Sequence, residues 1–142
     1  MRSTTMKVLA VAAVMMIAPL HHCGGMATAA EASITIPATS AEIWKAIDMH
    51  VKELHATVDK NALSTVHEHA FAIRDLVRAL PTHSAGLSAD ALTKVKAQVT
   101  FVDTLADRLD QTGDANDKPG TVANLTKLEG VLKTIRANYP TA

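Results

Sequence analysis

Apolar residues recur three or four positions apart along four separate segments of the chain, a spacing that places them on one face of an α-helix. In the cleanest segment this pattern runs without a break from Leu63 to Leu80. The other three segments start at Trp44, Leu92 and Val122. Because each segment carries one apolar face and the connections are short, the pattern predicts an all-α fold, an up-down-up-down four-helix bundle.

Residues that begin or end helices stand between these segments. Thr39, followed three residues later by a glutamate, forms a capping box before helix one, and Ser88 is an N-cap for helix three. Pro81 is expected to end helix two and Gly113 to end helix three. Gly130 lies within helix four at a cost of about 1 kcal/mol relative to Ala, and we expect close helix packing there.

The first thirty residues have the features of an export signal. Two basic residues precede an uncharged apolar run over residues 8–20. As a helix this run rises about 20 Å, too short for the roughly 30 Å core of a bilayer. The pattern predicts a signal peptide over residues 1–30, cleaved near Ala29 or Ala30, and a mature domain over residues 31–142.

Cys23 leaves a second route of processing open. The segment from Leu20 to Cys23 resembles a bacterial lipobox, in which the cysteine becomes the lipidated first residue. Either route places the mature domain in the periplasm. An inner- or outer-membrane lipoprotein is the alternative, with membrane contact only through a lipid on Cys23.

Composition excludes several classes of function. The chain has 14 Lys+Arg and 14 Asp+Glu, so it lacks the excess of positive charge that nucleic-acid binding requires. One cysteine excludes a disulfide framework and a cysteine-based zinc or iron–sulfur site. The chain contains no G-x-S-x-G motif, and we expect no enzymatic activity.

Four histidines lie on predicted helices one and two, which run antiparallel about a turn near Lys60. This register puts His50 level with His69 and His55 level with His67. Heptad positions place the two pairs on opposite flanks, so only one pair can face the neighbouring helix, and the sequence does not decide which.

Each histidine pair has a carboxylate one turn away. Two imidazoles and a carboxylate suit zinc, copper or nickel. The alternative is that these histidines are solvated flank residues that bind nothing. The two candidate ligand sets are His55 with Asp59 and His67, and His50 with Glu53 and His69.

Two other binding chemistries are not expected. Residues 110–117 are rich in Asp and Asn but lack the calcium-loop spacing and its distal Glu, so we interpret them as turn and cap residues. Residues 127–139 resemble part of the soluble b-type cytochrome bundles, with Met49 in the place of a first-helix ligand. Haem is nevertheless not expected, because helix four has no histidine and there is no C-x-x-C-H motif.

Three stretches, residues 43–48, 66–76 and 108–117, resemble a group of small exported helical proteins that accompany heavy-metal efflux systems in proteobacteria. The resemblance implies a context, with components of an efflux system as partners. Together with the four histidines on helices one and two and the export signal, it leads us to expect a periplasmic protein that binds or buffers copper or zinc. It also implies that His67 and His69 are the first metal contacts to consider. The alternative function is an interaction module that docks another periplasmic protein without a metal.

Overall fold

The computed structural model describes residues 34–139, which form four α-helices and, within that range, no strand. The helices are α1 (Ser40–Asp59), α2 (Val66–Ala79), α3 (Ala89–Asp114) and α4 (Lys118–Arg136). Each helix packs against the next along the chain, and α4 also packs against α1. The all-α class with four packed helices is therefore confirmed. The predicted signal peptide, with Cys23, Ala29 and Ala30, lies outside the described residues.

The core is built from the apolar faces that the spacing of the sequence predicts. Side chains that are completely buried come from all four helices, among them Ile43, Ile73, Leu109 and Leu128. Burial of such side chains is the main stabilising contribution in a domain of this size. Within residues 34–139, no helix combines the length and the apolar character needed to cross a bilayer.

Aromatic packing closes one end of the bundle. The indole of Trp44 is buried and meets the ring of Tyr139 edge-on, with ring centroids 5.5 Å apart. The guanidinium of Arg136 lies 4.3 Å from the centre of the indole ring, within cation–π range. The Tyr139 hydroxyl and the Ser84 hydroxyl are 2.7 Å apart, so the C-terminal turn is tied to the connection between α2 and α3.

The helix starts follow the predicted capping chemistry. Thr39 Oγ1 accepts a hydrogen bond from the backbone N–H of Glu42 at 3.2 Å, and Ser88 Oγ accepts one from the third residue after it, also at 3.2 Å. Both N-caps are therefore confirmed. Asp117 caps α4 in the same way, through its carboxylate and the N–H of Gly120 at 3.0 Å.

The predicted helix two is divided into three parts. A 3₁₀ turn at Leu63–Thr65 precedes α2, and a second 3₁₀ turn at Leu80–His83 follows it. The α-helix ends at Ala79, two residues before Pro81, as predicted, and Pro81 lies inside the second 3₁₀ turn. Proline is tolerated there because it stands at the start of the new turn, where no backbone N–H donor is needed.

Two glycines have roles different from those predicted. Gly113 does not end α3, which continues one residue further, and Asn116 takes the left-handed conformation with φ 53°. Gly113 is instead buried against the 3₁₀ turn that begins at Leu63, where a Cβ atom would stand 2.6 Å from the Leu63 carbonyl oxygen. A Cβ atom on Gly130 would meet no described atom within 4 Å, so the prediction of close packing there is wrong.

Candidate metal centre

The structure brings together one of the two predicted histidine pairs. His50 on α1 and His69 on α2 face each other with their Nδ1 atoms 3.1 Å apart and their ring centroids 5.4 Å apart. At that distance the two atoms form a hydrogen bond, in which the protonated Nδ1 of one ring donates and the unprotonated Nδ1 of the other accepts. Burial lowers the pKa of His50 and the neighbouring His69 lowers it further, whereas the Glu53 carboxylate raises it.

The other two predicted histidines do not meet. His55 Nε2 lies 2.8 Å from a carboxylate oxygen of Glu129 on α4, in an exposed contact on the far flank of α1. His67 faces α3 instead. Among residues 34–139, no group of three close metal-ligand side chains includes His55 or Asp59. The first predicted set, His55 with Asp59 and His67, is therefore not assembled in this structure.

His67 joins two carboxylates that the sequence analysis assigned to turn chemistry. One ligand atom each from His67, Asp110 and Asp114 lies within 4.8 Å of the others. Asp110 and Asp114 are four residues apart on α3, a spacing that puts both on one face of a helix. His67 is the second residue of α2, so the cluster joins the start of α2 to the end of α3.

Gly113 sets the distance between these two helix ends. Because it has no side chain, the last turn of α3 approaches the backbone that leads into α2. This contact lies one residue from Asp114 and four residues from His67. The buried glycine therefore positions the ligands on either side of the contact.

Electrostatics at the end of α3 favour a cation. The C-terminus of a helix carries the negative end of its dipole, and carboxylates there are unfavourable. The last turn of α3 holds Asp114 and no basic residue, and Asp110 lies one turn before it. Asp110 and His67 are partly buried and Asp114 is exposed, so the cluster is reachable from solvent. A divalent ion at this position would relieve the repulsion between the carboxylates and the helix dipole.

The ligand atoms lie close to the separation that one metal ion requires. Two ligands of a tetrahedral zinc, each about 2.0–2.1 Å from the ion, are about 3.3 Å apart. The atoms of the cluster lie within 4.8 Å of one another, so a change of at most about 1.5 Å in any of these distances, by rotation of side chains, gives that separation. Movements of this size are ordinary for a partly exposed carboxylate.

The sequence did not point to Asp110 and Asp114 as ligands, because residues at the same level were compared only between helices one and two. The relevant pattern, two aspartates four residues apart, lies on helix three. If α2 and α3 run in opposite directions from their connection, the end of α3 returns to the start of α2, where His67 lies. Two aspartates at i and i+4 on that end are a better pointer to a ligand pair than their membership of a polar turn.

Comparison of the chain with protein-family models, with curated proteins and with solved structures found no match. What the site does has to be inferred from its own ligands, their spacing and their burial.

Proposed function

We propose that this protein binds a transition-metal ion, with zinc as the best fit, and that it buffers the metal outside the cytoplasm. The observation that carries the proposal is the cluster of His67, Asp110 and Asp114, three ligand atoms from two helices within 4.8 Å. Imidazole nitrogen and carboxylate oxygen are both zinc ligands, and three protein ligands leave the fourth coordination position to water, as in catalytic zinc sites. The two negative charges also balance the charge of a divalent ion.

The donor set favours zinc over monovalent copper. Copper(I) prefers thiolate and thioether ligands, whereas imidazole and carboxylate suit divalent ions of intermediate softness. Binding requires a neutral imidazole, so we propose that zinc affinity falls as the pH is lowered. The proposal also includes export through the segment at residues 1–30, an up-down-up-down order of the helices and association with a metal efflux system.

Thermal unfolding of the full chain in the presence of zinc tests the proposal. The parent protein carries His21→Ala, His22→Ala and Cys23→Ser, so that the N-terminal segment contributes no ligands of its own. A metal that binds only the folded state stabilises it by about 2.7 kcal/mol when free metal reaches 100 times Kd. For a domain of this size that corresponds to a rise in Tm of roughly 10–20 °C.

Conservative variants locate the site. We expect His67→Gln and Asp114→Asn to reduce the zinc-dependent rise in Tm while leaving the metal-free Tm nearly unchanged, because neither side chain belongs to the core. His55→Gln is the matched control, a histidine on α1 that pairs with Glu129 outside the cluster. Equal zinc responses in His67→Gln and the parent would refute the proposed site.

The second candidate function is a docking module without a metal, and a groove between α1 and α4 favours it. The groove has a volume of about 230 Å³ and an apolar floor that includes Trp44, Ile47 and Leu132. The indole Nε1 of Trp44 is buried and has no hydrogen-bond partner among residues 34–139. This function predicts that zinc leaves the Tm of the parent unchanged, so the same titration separates the two candidates.

A further inference from the structure

The pair of His50 and His69 has the geometry of a metal site in which a proton takes the place of the metal. Its Nδ1 atoms are 3.1 Å apart, and two nitrogen ligands of a tetrahedral zinc stand about 3.3 Å apart. An ion could therefore bind between the rings with a change of a few tenths of an ångström in the distance between the two nitrogens, as each ring turns its lone pair toward the ion.

The surroundings of His50 favour the neutral imidazole that metal binding requires, because burial lowers its pKa. Two adjacent imidazolium groups would repel each other, and both side chains are partly buried between α1 and α2. Only a neutral ring offers a lone pair to a metal. A shift of the Nδ1 proton to Nε2 of the same ring frees its lone pair, and a rotation of each ring then directs both lone pairs to one point beside the line that joins the two nitrogens.

The pair and the His67 cluster are separate sites. His67 and His69 are two residues apart on α2, which turns their side chains about 200° from each other. His69 meets α1 through His50, whereas His67 meets α3. One ion cannot bind to both histidines unless the start of α2 unwinds.

We propose that His50 and His69 form a second site, which binds an imidazole-preferring divalent ion such as zinc through their two Nδ1 atoms. The exposed Glu53 lies one turn beyond His50 on α1 and supplies the third ligand by rotation of its side chain, with water as the fourth. This site joins α1 to α2, as the His67 cluster joins α2 to α3. It does not depend on the function proposed for His67, because the two sites share no ligand.

The number of zinc ions bound per chain tests the second site. Equilibrium dialysis against zinc at pH 7.5, followed by metal analysis, uses the full chain with His21→Ala, His22→Ala and Cys23→Ser. We expect two ions per chain in this parent, one in His50→Gln and one in His69→Gln. Glutamine keeps the size and polarity of the side chain, and the fluorescence of the single Trp44 verifies that each variant is folded.

The same measurement separates this inference from the proposed function. If His67→Gln removes one ion and His50→Gln removes none, the second site is refuted and the first stands. If His50→Gln removes one ion and His67→Gln removes none, the second site stands and the proposed function fails. Nuclear magnetic resonance of ¹⁵N-labelled histidine rings is a second readout. Zinc is expected to shift the Nδ1 signals of His50 and His69, and shifts confined to Nε2 would overturn the proposed geometry.

Discussion

The replacement of Gly113 by alanine is the sharpest test of how the helices position the candidate site. An ideal Cβ atom at Gly113 would stand 2.6 Å from the Leu63 carbonyl oxygen, whereas real Cβ contacts essentially never fall below 3.0 Å. The last turn of α3 must therefore move away from the backbone that leads into α2. Overpacking of this kind costs about 1–3 kcal/mol, and the better helix propensity of alanine recovers about 0.5–1 kcal/mol.

Gly130→Ala is the matched control, because it makes the same chemical change in the middle of α4 without a clash. A Cβ atom there meets no described atom within 4 Å, so the helix gains about 1 kcal/mol. We expect Gly113→Ala to lower the free energy of unfolding by about 1–2 kcal/mol and Gly130→Ala to raise it by about 1 kcal/mol. The two variants should then differ in Tm by roughly 10 °C or more.

Urea unfolding of the full chain, followed by circular dichroism and by the fluorescence of Trp44, measures both variants in the presence of a chelator. An unchanged slope against urea indicates that the native fold persists, so the midpoints report stability alone. We also expect Gly113→Ala to weaken zinc binding at His67, because it displaces Asp114, and Gly130→Ala to leave zinc binding unaltered. If Gly113→Ala stabilises the protein as much as Gly130→Ala does, the close approach at Leu63 is refuted and with it the argument that Gly113 positions the ligands.

Two further predictions concern the metal-free protein. The pKa of His50 is lowered by burial and then by His69, so the unfolded chain binds more protons and the free energy of unfolding falls as the pH drops below about 6.5. Urea midpoints of the parent and of His50→Gln between pH 5 and 8 measure this, and identical pH profiles would contradict it. Thr39→Ala removes the N-cap of α1 and should lower the free energy of unfolding by about 1 kcal/mol, whereas Thr100→Ala, at an exposed position inside α3, should not lower it. Equal losses in the two threonine variants would show that the cap bond does not stabilise α1.

The fold was predictable from sequence to the extent that it depends on local periodicity. The apolar spacing from Leu63 to Leu80 gave the buried face of α2, and Thr39 and Ser88 marked helix starts that the structure confirms. The roles predicted for Gly113 and Gly130 were wrong. A glycine near a helix end fits both a C-cap and a close backbone contact, and only the position of the neighbouring helix distinguishes them. For Gly113 that neighbour is the turn at Leu63, fifty residues earlier in the chain.

The same reason explains why the candidate site was only partly predictable. The rule of matched heights for adjacent helices correctly required that one histidine pair meet, and the meeting of His50 with His69 follows from it. Which pair meets depends on how far each helix rotates about its own axis, and that rotation is set by all of its neighbours together. His55 faces α4 and pairs with Glu129, so the rotation of α1 is fixed partly by a helix that begins more than sixty residues later.

The rotation of α2 has a consequence for function as well as for packing. Because α2 packs between α1 and α3, its first turn presents His69 to one neighbour and His67 to the other. Two histidines separated by one residue cannot bind one ion on a regular helix, yet they can contribute to two sites on opposite flanks. Metal ions at both sites would link the start of α2 to α1 and also to α3. At this end, α2 is preceded by a 3₁₀ turn. His67 and His69 are thus better understood as ligands of two separate sites than as one chelating motif.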